Sequence, residues 1–169
     1  DKEVIGDPNP SFTYGFSTSF RWKSLSLSMM FDGVYGNQIA NGNLLPETNT
    51  SPTGNNLHNV RTEAYLGAWS ESNQDARYPR LNRTAGQTKD FTDRILENGS
   101  YMRLSAVTLS YQFNFKRTSV VKNLGLSFTV RNAFTWSSYS GWDPEVSSFT
   151  NNALKVGVDW SSYPSSRAY

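Results

Sequence analysis

The sequence predicts an all-β, antiparallel fold of the transmembrane-barrel kind, present as about four strands. Three observations predict it. The apolar residues fall into four stretches of period-two alternation, the mark of strands with one apolar face. Each stretch is about 9–13 residues long, beyond the usual soluble strand of about 5–6, and about 9–11 tilted residues suffice to cross a bilayer. The connections alternate between short and long, which is the habit of outer-membrane barrels.

The first strand, about 11–22, aligns Phe12, Tyr14, Phe16, Phe20 and Trp22 on one face, with Thr18 the single polar member. Its other face carries Thr13, Gly15, Ser17, Ser19 and Arg21. The second, about 24–35, sets Leu25, Leu27, Met29 and Phe31 against Ser24, Ser26, Ser28, Met30 and Asp32. The third, about 100–115, sets Val107, Leu109, Tyr111, Phe113 and Phe115 against Ala106, Thr108, Ser110, Gln112 and Asn114. The fourth, about 124–136, sets Leu124, Leu126, Phe128, Val130, Phe134 and Trp136 against Gly125, Ser127, Thr129, Arg131, Ala133 and Thr135. The twenty apolar residues of this common face are the candidate lipid-facing set. Helical periodicity is absent from these stretches, and none is convincing elsewhere.

Lys23 and Ser24 join the first two strands, and a short basic turn with Lys116, Arg117 and Lys122 joins the last two. The long segments 36–99 and 137–168 are then outer loops. Trp22 and Phe115 fall near the turn end, and Tyr35, Tyr101 and Trp136 near the loop end, the levels of aromatic girdles. A face of Ser, Thr, Asn and Gln suits a wet lumen. In a dry core each unpaired group would cost on the order of 1–3 kcal/mol. Single-chain membrane barrels start at about eight strands, and an open edge in lipid leaves backbone groups unpaired. The expectation is therefore a piece of a larger barrel, or a chain completed by other copies or by partner chains. A soluble β-sandwich, as in carbohydrate-binding or adhesin domains, is the rival reading of the same alternation.

Composition narrows the chemistry. The chain has 169 residues, no Cys and one His, so neither a thiolate nor a multi-histidine metal site can form. Net charge is +2, too small to argue for nucleic acid. His58 lies in an Asn-rich loop with no acidic neighbour in sequence, and a solvated loop histidine is the simpler reading. Asp90, Asp93 and Glu97 match no calcium-loop pattern and read as a solvated cluster. Asp143-Pro144-Glu145 can bind a cation or hold a turn; Pro144 biases Asp143 to an extended shape and favours the turn. Gly33-Val34-Tyr35-Gly36 lacks the helix a phosphate loop needs. No nucleophile–base pair is evident, so no catalytic residue, metal or cofactor is assigned and an enzyme is not expected. The loop aromatics Tyr65, Trp69, Tyr78, Tyr139, Trp142 and Trp160 are candidates for contact with a ligand or protein partner. Packing of the loops on themselves is the alternative. Arg21 and Arg131, on the polar face, are candidates to meet acidic groups in the lumen.

Several words of the sequence carry a resemblance. Gly6-Asp7-Pro8-Asn9-Pro10 precedes Phe12-Thr13-Tyr14-Gly15-Phe16. In order there follow Phe31-Asp32-Gly33-Val34-Tyr35-Gly36-Asn37, Ala76-Arg77-Tyr78-Pro79-Arg80 and Glu97-Asn98-Gly99-Ser100-Tyr101-Met102-Arg103-Leu104. Next come Arg131-Asn132-Ala133-Phe134-Thr135-Trp136 and Tyr139-Ser140-Gly141-Trp142-Asp143-Pro144-Glu145-Val146. Gly157-Val158-Asp159-Trp160, Tyr163-Pro164 and Arg167 close the series. Together they resemble the C-terminal β-barrel segment of SusC/RagA-type TonB-dependent outer-membrane transporters over nearly the whole chain. The resemblance implies a barrel of about 22 strands, with these four at about positions 18–21. It implies residence in the bacterial outer membrane, with lipid and the remainder of the barrel as neighbours. It further implies uptake of oligosaccharides or peptides, a SusD-like surface lipoprotein as lid, and energy from TonB–ExbB–ExbD through an N-terminal part this sequence lacks. Nothing in the residues names the substrate.

Overall fold

The structure, a computed structural model, describes residues 3–48, 59–80, 92–115, 120–145, 147–149 and 156–169. His58, Asp90 and the turn residues Lys116 and Arg117 lie outside the described residues. The chain divides into two compact units.

The strand unit comprises Asn9–Asn37, Asn98–Glu145 and Tyr163–Tyr169. It holds β1 (Phe12–Trp22), β2 (Leu25–Tyr35), β5 (Tyr101–Asn114) and β6 (Asn123–Ser137) in one antiparallel sheet of order β1-β2-β5-β6. Lys23 takes φ 52°, which lets Lys23-Ser24 close a two-residue hairpin between the paired Trp22 and Leu25. At the second turn the Phe115 N–H donates to the Lys122 carbonyl at 2.9 Å.

Register puts apolar on apolar across the sheet. Phe12 faces Tyr35, Phe16 faces Phe31, and Phe20 faces Leu27. Leu27 then faces Leu109, which faces Phe128, and Leu25 faces Tyr111, which faces Leu126. Rings stack along these rows: Phe16 and Phe31 centroids lie 4.6 Å apart, and Phe12 and Tyr35 lie 5.2 Å apart. Such cross-strand pairs are what pin a register. Tyr14 lies across Gly33: a Cβ there would sit 2.4 Å from the tyrosine ring and 2.5 Å from the Tyr101 carbonyl oxygen. The Tyr14 hydroxyl donates to that same carbonyl at 3.1 Å. Gly33 thus makes room for a ring that spans from β1 to β5.

Two bulges cross the sheet at one level. Ser105 is the extra residue of β5 between Met30 and Phe31 of β2, and its hydroxyl donates to the Met30 carbonyl at 3.1 Å. Across from it, Asn132 and Ala133 of β6 oppose Ser105, with Asn132 at φ 51°. A bulge shifts the alternation by one residue. Apolar positions of β5 are therefore even-numbered before Ser105, where Met102 faces Gly33 and Trp136 and Leu104 faces Phe31 and Phe134, and odd-numbered after it.

The loop unit comprises Asp1–Pro8, Gln38–Glu97 and Val146–Ser162. It contains a small sheet of order β4-β3-β7, with β3 at Gln38–Asn41, β4 at Leu96–Asn98 and β7 at Val158–Asp159. Two five-residue helices, α1 (Leu44–Thr48) and α2 (Thr62–Leu66), and a 3-10 turn at Asp93–Ile95 complete it. Elements this short show no periodicity in sequence, which is why the segment reads as plain loop. Ile39, Leu45, Ala64 and Ile95 are fully enclosed and form its core. Arg61 pairs with Glu47 at 2.8 Å and Glu63 at 3.1 Å.

Candidate functional site

The most organised polar cluster lies on the polar face of the strand unit, at the end where the long loops leave. Arg103 of β5 stands between Asp32 of β2 and Thr135 of β6 in the ladder. Its Nε donates to Thr135 Oγ1 at 3.1 Å, and its Nη2 to Asp143 Oδ1 at 2.6 Å. Its Nη1 pairs with the Glu145 carboxylate, and its guanidinium lies 5.2 Å from the Tyr101 ring centroid. Both Arg103 and Asp143 are 4% exposed.

Asp143 is satisfied on every side. Oδ1 also accepts the Glu145 N–H at 3.0 Å. Oδ2 accepts the Ser165 N–H at 3.1 Å and the Ser165 hydroxyl. Burial pushes the Asp143 carboxyl up. The Ser165 hydroxyl, the two N–H donors and the Arg103 charge outweigh it, so the pKa lies below the ordinary carboxylate value. The carboxylate is charged at neutral pH, fully bonded and has no proton to give. The cluster fastens β5, the 138–145 segment and the 163–169 tail together; it is not an acid–base site. The turn at Asp143-Pro144-Glu145 serves that purpose, and among the described residues no group of three or more His, Cys, Asp or Glu could hold a metal.

Other words of the sequence that carry the resemblance prove to be junction residues. Within the strand unit, the Ser11 N–H donates to the Tyr35 carbonyl, the Gly36 N–H to Ser100 Oγ, and the Gly99 N–H to the Asn37 carbonyl. Gly36 has φ +89°, and a Cβ there would strike the Ser11 side chain at 2.3 Å; only glycine suits both. Within the loop unit, Asp7 and Gln38 bind reciprocally, backbone N–H to carbonyl at 2.9 Å and Asp7 N–H to Gln38 Oε1 at 3.1 Å. Asn41 Nδ2 donates to Glu97 Oε1 at 2.9 Å, so Glu97 is a bonded member of this unit.

The candidate contact aromatics fall into two groups. Tyr65, Trp69, Tyr78 and Trp160 belong to the loop unit, and Tyr139 and Trp142 to the strand unit. Trp69 and Tyr78 are neighbours through a 2.9 Å backbone hydrogen bond, and Arg80 lies 5.2 Å from the Trp69 ring centroid. Tyr65 is exposed on α2, while Trp160 leans on the backbone of Gly42. Tyr139 is only 8% exposed and folds back over Gly141, whereas Trp142 is 86% exposed. Tyr139 and Trp142 border a groove of about 490 Å³ that also includes Asp143, Ser165 and Tyr169. Arg131, on the polar face, makes a backbone bridge to Ala168. Sequence reading missed Arg103, Thr135 and Ser165. The available signal was a lone arginine between Met102 and Leu104 in an apolar strand.

The apolar face, by contrast, stays open in the folded unit: Phe16 is 52% and Phe128 57% exposed. A soluble sandwich would have covered it.

Relatives agree with this geometry. No family model matches the chain. Over its whole length it is 30% identical to TonB-dependent receptor P3 of Formosa agariphila, covering 16% of that protein. Over 97% of its length it is 28% identical to TonB-dependent receptor SusC of Bacteroides thetaiotaomicron, covering 15%. Among solved structures it superposes on the RagAB peptide importer in its open-open state with TM-score 0.74, and in its closed-closed state with 0.75. Both matches have 28% identity over 97% of this chain and 17% of that one.

The chain is similar to a segment of TonB-dependent receptors of the SusC and RagA kind. It spans about one-sixth of the length of the curated relatives it matches. TonB-dependent receptors are outer-membrane proteins, so its place is the bacterial outer membrane. Its four-stranded sheet is part of an antiparallel β-barrel, and the relatives are receptors and transporters rather than enzymes.

Proposed function

We propose that the chain forms a section of the barrel wall and two outer loops of a nutrient importer. The importer takes up oligosaccharides or peptides across the outer membrane by TonB-dependent transport. The observation that carries this reading is the aromatic face of β1, β2, β5 and β6, paired in register yet open in the folded unit. Twenty residues from Phe12 to Trp136 on that face meet lipid, joined by Met102 and Leu104, and the Ser- and Thr-rich face meets the lumen. Burying such rings in hydrocarbon is favourable by about 25 cal/mol per Å² of apolar surface, which a soluble chain would forfeit.

The importer works with a SusD-like surface lipoprotein as lid, and with TonB–ExbB–ExbD through the receptor's N-terminal region. This chain contributes no chemistry to the cargo. Of the loop aromatics, Tyr65, Trp142 and Trp160 are exposed and have surface to offer a cargo or lid, Trp69 and Tyr78 are half-buried, and Tyr139 serves packing. Support for peptides as cargo comes from the similarity to the RagAB peptide importer, and for a lid from the same relatives.

The test is a set of spin labels at Phe16, Phe113 and Phe128 in the receptor embedded in bilayers. Labels that report lipid, beside labels at Ser17 and Thr108 that report water, support the wall. Labels at the three phenylalanines that see neither lipid nor detergent would sink it.

A further inference from the structure

The segment Ser166–Tyr169, which reads as the end of an outer loop, lies along the side of β6 that β5 leaves open. The Arg131 N–H donates to the Ala168 carbonyl at 2.8 Å, and the Ala168 N–H returns to the Arg131 carbonyl at 3.4 Å. Asn132 Nδ2 donates to the Ser166 carbonyl at 2.9 Å, and Arg167 Nε donates to the Asn132 carbonyl at 3.4 Å. The two antiparallel contacts of the tail thus sit beside two made by one residue, Asn132. That residue is the bulge, with φ 51°. Left-handed backbone is tolerated by asparagine better than by most residues. It takes Asn132 out of the β5 ladder, where Arg131 and Phe134 are paired but Asn132 is not, and frees its amide and its carbonyl for the tail.

We propose that Asn132 is a register peg: it positions a fifth strand that begins at Ser166 and runs antiparallel along the free edge of β6. Pairing of Ala168 with Arg131 sets the phase. Arg131 lies on the polar face, so Tyr169 falls beside Val130 on the apolar face. Tyr169 becomes the first lipid-side ring of that strand rather than a loop residue. Among the described residues nothing else pairs with this edge over Asn123–Val130. The occupant is a strand of the same wall, because an uncovered edge in hydrocarbon leaves its N–H and C=O groups unbonded. A slip of one residue would turn every following side chain to the wrong face. A slip of two would keep the faces but shorten or lengthen the next connection. Regular ladder bonds do not distinguish registers two apart; a side chain reaching one carbonyl does.

The inference rests on the barrel-wall reading above, and its test separates the two. In the receptor in outer membranes, Arg131→Cys is combined with Ala168→Cys for the native register, or with Ser166→Cys for one slipped by two. With Asn132 present, the 131–168 pair is expected to cross-link and the 131–166 pair to stay reduced. Asn132→Gly keeps the backbone freedom and loses the amide, and Asn132→Asp keeps the shape and loses the donor. Both are expected to shift the cross-linking ratio toward 131–166 by about fivefold, the factor typical of one hydrogen bond. A variant that merely weakened the barrel would lower both yields and leave the ratio alone. An unchanged ratio in both variants, or a 131–166 cross-link with Asn132 intact, overturns the peg even if the spin labels report lipid. Receptor that never enters the membrane as a barrel overturns both readings.

Discussion

The two units of this chain bury their apolar residues in opposite ways. The loop unit turns small aliphatic residues inward, with Ile39, Leu45, Ala64 and Ile95 enclosed. The strand unit turns large aromatic ones outward and encloses an arginine and an aspartate instead. The first finishes its own core by folding. On the barrel-wall reading proposed above, the second leaves its hydrophobic gain to be collected from the bilayer and uses the inside for polar fastening. On that reading, identical physics, applied with two different solvents, yields an inside-in and an inside-out arrangement within one polypeptide.

Substitutions can break that contrast in order of size. Arg103→Ala leaves Asp143 buried without its countercharge, and losing one partner of a buried pair typically costs about 3–5 kcal/mol. The expected outcome is a barrel that loses its heat-resistant electrophoretic form well below the parent's temperature. Leu45→Ala is expected to cost about 2–5 kcal/mol, but within the loop unit alone: limited proteolysis should cut the loops while the barrel band persists. Phe128→Arg on the open face is expected to cost about 2–4 kcal/mol near the bilayer midplane. Thr129→Arg, one residue away on the polar face, should be nearly silent in the same bilayer-refolding titration. If both arginines cost the same, the inside-out assignment is wrong. Tyr14→Phe removes one hydrogen bond to the Tyr101 carbonyl and is expected to cost about 1 kcal/mol, read in the same titration.

Acid offers a milder probe of the fastening. The Asp143 pKa is lowered in the folded state from its ordinary value of 3.8. Its contribution is therefore complete above that value and is lost as pH falls through the lower, folded pKa. Barrel stability measured downward from pH 5 should fall in that range for the parent, and Asp143→Asn should remove that part of the slope.

Period-two alternation made the four strands and their faces legible, because apolar side chains recur on one face along most of its length. The alternation failed at Ser105, where the bulge shifts the phase, and so Met102 and Leu104 were not seen as members of the face they share with Phe31, Phe134 and Trp136. The fastening was half legible. Asp143-Pro144-Glu145 reads as a turn, but its partner Arg103 is 40 residues away and no local pattern joins them. The loop unit was the least legible, since strands of two to four residues and helices of five carry no period. Tyr139 and Trp142 look alike as loop aromatics. Only tertiary packing makes one a buried prop and the other a surface ring.

The pairing of Ala40 and Asn41 with Val158 and Asp159 has a consequence for inheritance. The loop unit is woven from three separated stretches of chain, so it cannot be exchanged between receptors by moving one loop. A recombination that carried 38–97 without 146–162 would arrive with β3 lacking its parallel neighbour. It would also lack the Ser161 N–H that binds Asn43 Oδ1 at 2.8 Å. Viable chimeras should keep both stretches from one parent, and variation that alters what these loops meet should accumulate by point change within them rather than by swapping.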